Sequence, residues 1–246
     1  MMRSMFLGAA LVTVLSGPAV AQSAGWDYQA TLYGWVPGLS ATVDTQFGQV
    51  DSKATGSDVL DNLDFAFMGV FEARHERWSL IADLLYTKLS ASQNTPLGLA
   101  FSSAEVKTKL GALSGYALYR VYDGPGASID LGGGFRAFGV DLDLSLNPGA
   151  RPGRSSSSSD SWVDPLIAGR IIIPFDDSWF ATAFADFGGT ASDDQTWQAL
   201  ATVGYRFNDK WSVQAGYRQM DLEHTLGGND STISLSGPFI GGSFRF

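Results

Sequence analysis

Charged side chains recur at alternate positions within otherwise apolar segments of this 246-residue chain. Eleven of them share the face opposite the apolar residues: Glu72, Arg74, Asp83, Arg120, Asp130, Arg136, Asp164, Arg170, Asp186, Arg206 and Arg218. An arginine guanidinium is planar, stays charged and can hold a carboxylate through two parallel hydrogen bonds. The set therefore predicts either a network of buried ion pairs or a polar passage lined by both signs of charge.

Two histidines and no cysteine limit the catalytic chemistry that the chain can perform. His224 follows Glu223 and lies near Asp221 and Asp230, so it is the candidate for a general base. Its neighbours in the sequence lack the serine or the paired aspartates that hydrolases place around such a histidine. We therefore expect no catalytic residue, no metal site and no cofactor, with hydrolysis at His224 as an alternative.

The elements that would position these residues are β-strands, because apolar and polar residues alternate with a period of two. From Trp197 to Phe207, aromatic residues stand near the segment ends with small aliphatic residues between them, which is typical of a lipid-facing strand. The connections between such segments alternate in length. Short ones fall at 76–77, 122–127, 176–178 and 208–210, and longer polar ones at 37–62, 92–103, 145–161, 190–194 and 224–232. This alternation is the layout of bacterial outer-membrane barrels.

Between these connections the sequence predicts an all-β, antiparallel transmembrane barrel of about ten strands, with eight or twelve as alternatives. The predicted strands are 27–36, 64–75, 78–91, 104–121, 128–143, 162–174, 179–189, 195–207, 211–223 and 233–246. We expect both termini on the periplasmic side. Residues 37–62 are predicted to be an extracellular segment, partly extended and with a capped helical turn at 57–63. The serine run 155–159 is predicted to be a loop tip.

The first 21 residues have the pattern of a secretory signal peptide. Arg3 precedes a short apolar run, and the small-residue end at Ala19-Val20-Ala21 predicts cleavage near Ala21. The apolar run is about half the length that a membrane helix needs. Residues 22–246 are then predicted to form a single barrel domain in the bacterial outer membrane.

The C-terminus, Ile240-Gly241-Gly242-Ser243-Phe244-Arg245-Phe246, resembles the terminal strand of outer-membrane barrel proteins. Residues 33–38 and 60–68 look like those of a poorly characterised group of such proteins, similar in architecture to the small barrels OmpA and OmpW. The resemblance implies a barrel whose Phe244 and Phe246 are a membrane-assembly signal read by the outer-membrane assembly machinery. It implies no catalytic residues.

The net charge of −9 and the pI of about 4.5 argue against nucleic acid as a partner, because binding a phosphate backbone needs a basic surface. The expected partners are outer-membrane lipid and lipopolysaccharide, and we expect a monomer. For function, the sequence favours a non-enzymatic barrel, either a narrow channel for small solutes or a structural membrane protein with a charged lumen. The alternatives are surface binding or adhesion through the loops, and the rim hydrolase described above.

Overall fold

A computed structural model of the chain describes residues 25–45, 48–94, 101–191, 194–226 and 229–246. The predicted signal peptide, residues 1–21, lies outside these ranges. The elements are β1 Trp26–Trp35, β2 Gly38–Thr45, β3 Gly48–Ala54, α1 Gly56–Asp61, β4 Leu63–His75, β5 Trp78–Asn94, β6 Phe101–Gly124, β7 Ala127–Pro148, β8 Arg154–Pro174, β9 Trp179–Ala191, β10 Asp194–Arg206, β11 Trp211–Leu226 and β12 Asn229–Arg245.

Ten of these strands close into an antiparallel barrel, which confirms the predicted fold class. The order is β1-β4-β5-β6-β7-β8-β9-β10-β11-β12, and β12 pairs back with β1. The pairing of β1 with β12 that closes the barrel extends from Gln29, opposite Arg245, to Trp35, opposite Phe239. A closed barrel pairs the N–H and C=O groups of its strands with one another, as a lipid environment without water requires.

The segment after β1 extends the barrel wall instead of crossing the membrane. β2 pairs with residues 231–236 of β12, directly beyond the part of β12 that pairs with β1. β3 folds back on β2 as a hairpin. Thr55 then caps α1, because its hydroxyl accepts the N–H of Asp58 while the Asp58 carboxylate accepts the N–H of Thr55. No helix in the described ranges is long and apolar enough to span a membrane.

We call the end of the barrel that carries residues 76–77, 125–126, 175–178 and 207–210 the turn end, and the opposite end the loop end. Two of the short turns share one device. Asp176 accepts the N–H groups of Ser178 and Trp179, both at 2.7 Å, and Asn208 accepts those of Lys210 and Trp211, both at 2.9 Å. These side chains replace the hydrogen bonds that the backbone lacks in a tight turn.

The outer surface of the barrel is apolar. Ile167 is 69 % exposed, Leu32 65 % and Ile240 65 %, and such values suit side chains that meet lipid rather than water. Aromatic rings collect near the turn end, where Trp78 packs against Tyr119 and Trp179 against Tyr205. This arrangement agrees with the aromatic girdle that barrels place at a membrane interface.

The wall of the barrel is uneven in height at the loop end. β6 and β7 have 24 and 22 residues, whereas β9 and β10 have 13 each. The serine run 155–159 belongs to β8 and pairs with β7, so the prediction of a loop tip there was wrong. β7 supplies a continuous partner as far as Leu146, and that pairing overrides the low strand preference of serine.

Candidate functional site

The interior of the barrel is layered along its axis, and the layer nearest the turn end is ionic. Arg170 lies at its centre. The guanidinium donates to Glu72 at 2.8 and 2.9 Å and to Asp130 at 2.8 and 3.0 Å. Arg120 donates to the other oxygen of Asp130 at 2.9 Å, and Arg74 to Glu72 at 3.0 Å. We call these five residues the turn-end network. It joins β4, β6, β7 and β8 across the lumen.

The next layer is built around two deeply buried arginines. Arg136 is fully buried and donates to Asp186 at 2.6 Å, to Tyr116 at 3.0 Å, and to hydroxyls of two further residues. Both of those hydroxyl groups, Ser114 and Thr196, also lie inside the barrel. All three guanidinium nitrogens therefore donate hydrogen bonds to buried acceptors.

Arg218 is bound in the same way on the other side of the lumen. It donates to Asp83 at 3.0 Å, to Tyr33 at 2.9 Å and to Gln198 at 2.7 and 3.0 Å. Gln198 also donates to Tyr116, at 3.2 Å, and thereby links the two arginine clusters. We call the following set the central network: Tyr33, Asp83, Tyr116, Arg136, Asp186, Gln198 and Arg218.

An apolar layer lies on the loop-end side of the central network. On β7 Phe138 follows Arg136, on β5 Leu85 follows Asp83, and on β11 Met220 follows Arg218, each two residues further toward the loop end. The residues of this apolar layer are Trp35, Met68, Leu85, Phe138, Met220 and Leu222, all buried and in one cluster. Side chains in such a cluster pack closely and leave little room for water.

A cavity of about 610 Å³ occupies the turn-end half of the lumen. Arg74, Arg120 and Arg170 line it, and it reaches as deep as Tyr116 and Arg218. Phe239, which packs in the same buried cluster, borders the cavity, but none of the six residues named above for the apolar layer does. The open space therefore enters from the turn end and stops at the central network.

The rim at the loop end carries a separate cluster around His224. Its Nδ1 lies 2.5 Å from the carboxylate of Asp194, and its Nε2 lies 3.7 Å from that of Asp160. The imidazole stacks on Trp162 with the ring centroids 3.9 Å apart. Trp162 donates to one oxygen of Asp164, at 3.2 Å, while the other oxygen of Asp164 is buried without a described partner. We call these five residues the rim cluster.

The eleven charged residues singled out in the sequence thus fall into different environments. Nine of them enter the turn-end or central network: Glu72, Arg74, Asp83, Arg120, Asp130, Arg136, Arg170, Asp186 and Arg218. Asp164 lies in the rim cluster. Arg206 lines the turn-end cavity, with its guanidinium carbon 4.7 Å from the centre of the Phe180 ring.

Phe244 and Phe246, the two phenylalanines of the predicted assembly signal, lie beside the seam that closes the barrel. Phe244 packs against Trp211, with centroids 4.7 Å apart. Phe246 exchanges backbone hydrogen bonds with Tyr28, at 3.0 and 3.4 Å. The rings therefore belong to the aromatic surface at the turn end.

Sequence reasoning missed the neutral partners of the arginines, because it followed charge alone. Tyr33, Tyr116 and Gln198 supply hydroxyl and amide groups to both clusters of the central network. A usable signal was present: each shares the inward face with charged or polar residues of its own strand, as Tyr116 does with Arg120. It also missed Asp194 as the partner of His224, since the two are 30 residues apart.

Among the described residues, no group of three or more histidine and carboxylate side chains could hold a metal ion.

Comparison with known proteins supports the fold. No protein-family model and no curated protein matches the chain. The outer-membrane protease OmpT of Escherichia coli superposes with a TM-score of 0.58 at 10% identity, over 92% of this chain and 98% of that one. Ail, the attachment invasion locus protein of Yersinia pestis, gives 0.39 at 9% identity over 90% and 99%, and Neisserial surface protein A gives 0.29 at 16% over 90% and 97%.

At such identities the likeness is one of fold alone, and it adds no activity to the residues described above. Architecture, apolar outer surface and structural likeness agree with one another. The chain therefore has the fold of a transmembrane β-barrel of the outer-membrane type, with an apolar outer surface suited to lipid.

Proposed function

We propose that the protein is a closed, non-conducting barrel whose charged lumen stabilises it in the outer membrane. One observation carries the proposal: the cavity from the turn end stops at the central network, and the apolar layer lies beyond it. An ion crossing the lumen would have to displace arginine–carboxylate pairs whose guanidinium nitrogens all donate hydrogen bonds, and would then enter a layer whose six named residues carry no charge. Both steps cost free energy, since buried charges need partners.

The ionic layers have a structural role in this proposal. Arg170 of β8 bonds Glu72 of β4, and Arg218 of β11 bonds Asp83 of β5, so these two arginines tie walls together across the lumen. Barrels of few strands are generally filled by side chains, whereas large porins keep an aqueous channel. With the turn end in the periplasm, as the sequence predicts, the cavity would be a blind periplasmic vestibule.

Solute flux into liposomes tests the proposal. Refolded protein is reconstituted into vesicles loaded with a chloride-quenched dye, beside empty vesicles and vesicles that hold a large porin at the same protein-to-lipid ratio. We expect chloride entry at the rate of the empty vesicles. Entry well above that rate would refute the closed barrel and favour the narrow channel.

Hydrolysis at the rim is a second candidate function, favoured by the pairing of His224 with Asp194. A carboxylate on Nδ1 fixes the imidazole so that Nε2 is free to accept a proton from water. Asp160 lies on the Nε2 side. Incubation of the reconstituted protein with labelled peptides and phospholipid esters tests it. Turnover that disappears in His224→Gln would support this candidate, and turnover that survives the substitution, or none in the parent protein, would remove it.

A further inference from the structure

β8 has a free edge that faces the low part of the barrel wall. On one side it pairs with β7 from Arg154 to Ile172, which is all but its last two residues. On the other side it pairs with β9 only from Leu166 to Pro174. Among the described strands, residues 154–165 therefore have a neighbour on one side alone.

The backbone groups that point to this free edge belong to the odd-numbered residues. In an antiparallel strand, the N–H and C=O of one residue point to the same side, and those of the next residue point to the other. The N–H of Ser161 donates to the Asp160 carboxylate at 2.8 Å, so it does not serve β7. No register shift interrupts the pairing of β7 with β8. Ser155, Ser157 and Ser159 consequently direct their N–H and C=O groups away from β7.

Among the described residues, the part of this edge from Ser155 to Ser159 has none of the usual protection. Proteins shield exposed edges with lysine, proline, a bulge or a covering loop, because a bare row of N–H and C=O groups recruits another strand. The run from Ser155 to Ser159 contains neither lysine nor proline, and its side chains are small and exposed. Such a strand suits the addition of an extended segment through backbone hydrogen bonds.

The charges at the two ends of the run select the occupant. Asp160 lies at the lower end, where it faces His224 and Asp194 of the rim cluster, and Arg154 lies at the upper end. Residues opposite each other on paired strands share a face, so a side chain opposite Asp160 would point toward Asp194. The partnerless oxygen of Asp164 lies in the same cluster. A basic side chain fits this position.

A second copy in the same membrane does not fit it. Two barrels in one orientation would bring their β8 edges together in parallel, with Arg154 beside Arg154 and Asp160 beside Asp160. Like charges at paired positions are unfavourable. We propose that the edge of β8 from Ser155 to Ser159 binds an extended peptide segment of another protein, added as a further strand, with a basic side chain directed to Asp160 and Asp194.

Peptide binding to the refolded barrel tests the proposal. The probe is a fluorescein-labelled seven-residue peptide of serine and threonine with an arginine at one end, followed by fluorescence anisotropy in detergent micelles. We expect saturable binding that weakens at least about tenfold in Ser157→Pro, since that change removes an edge N–H that β7 does not use. Ser157→Ala keeps the backbone and is expected to bind as the parent protein does.

Two further arms separate backbone pairing from a disturbed fold. Methylation of alternate peptide nitrogens on the probe should abolish binding to the unchanged protein. Asp160→Asn should weaken binding of the arginine-containing peptide. It should leave unchanged the binding of a peptide that carries glutamine in place of that arginine. Absence of saturable binding to the parent protein would overturn the proposal. So would binding of the probe to Ser157→Pro, together with binding of the methylated probe to the parent protein, that is as tight as binding of the unmodified probe to the parent protein. So would sedimentation that shows a dimer in the parent protein and a monomer in Ser157→Pro, because the occupant would then be a second copy.

Discussion

The centre and the loop-end rim of this barrel use the same kinds of side chain in opposite ways. In the central network, each arginine is buried and donates from all three nitrogens to acceptors on other strands. In the rim cluster, three carboxylates surround one histidine, and a buried oxygen of Asp164 has no described partner. One oxygen of Asp186 in the centre likewise has no described partner, so the regions differ in their cations: two fully hydrogen-bonded arginines tie strands together in the centre, whereas the five residues of the rim cluster include no arginine or lysine.

The largest effect is expected where a fully buried ion pair is broken. Arg136→Met leaves Asp186 as a buried carboxylate without its cation, and we expect a loss of about 3–5 kcal/mol in the free energy of unfolding. The double variant Arg136→Met/Asp186→Leu removes both charges and should recover most of that loss. Urea titration of the refolded protein measures both values. A double variant as unstable as the single one would contradict the account of the centre.

A methyl group added between β6 and β7 should destabilise the protein more at the centre of the barrel than nearer the loop end. A Cβ added at Gly134 would overlap the carbonyl oxygen of Gly115, whereas one added at Gly139 meets nothing within 4 Å. We expect Gly134→Ala to lower the free energy of unfolding by about 1–3 kcal/mol, the range for overpacked sites. Gly139→Ala, five residues nearer the loop end, should leave it nearly unchanged. Similar losses of unfolding free energy at both positions would contradict the prediction that the centre is packed more tightly than the part nearer the loop end.

Removal of a carboxylate charge should matter less at the rim than at the centre. Asp164→Asn keeps an oxygen for the Trp162 N–H and discards a charge that has no described ion-pair partner. Its effect on the free energy of unfolding should stay within about 1 kcal/mol, whereas Asp186→Asn should cost about 1.5–3 kcal/mol. The same urea titration compares them. Equal losses would mean that Asp164 is bound as tightly as Asp186.

The smallest expected effect lies outside the lumen, at the turn end. The N–H groups of Trp179 and Ser178 lower the pKa of Asp176, so its folded-state pKa lies below its unfolded-state pKa. The stabilisation is therefore complete above the unfolded-state pKa and is lost as the pH falls through the folded-state pKa. Thermal unfolding between pH 7 and pH 2 should show a small acid-dependent step that is absent in Asp176→Asn. If Asp176→Asn shows the same dependence of thermal stability on pH as the parent protein, Asp176 does not contribute to the loss of stability in acid.

Much of the barrel could be predicted because strand alternation and turn length are local properties. The apolar faces, the ten strands and the extra segment at 37–62 followed from them. The serine run 155–159 did not, since its strand depends on β7. The bidentate pairing of Arg170 with Glu72 joins residues 98 positions apart, and only closure of the barrel brings them together. The same holds for the pairing of His224 with Asp194.

Single-channel recording in planar bilayers tests the central claim most directly. The parent protein is recorded beside Arg136→Ala/Arg218→Ala, which removes both central arginines and leaves the apolar layer in place. We predict that neither protein gives reproducible conductance steps, because the apolar layer closes the lumen by itself. Small steps from the parent protein whose ion preference changes in the double variant would place an open pore through the central network and contradict the account.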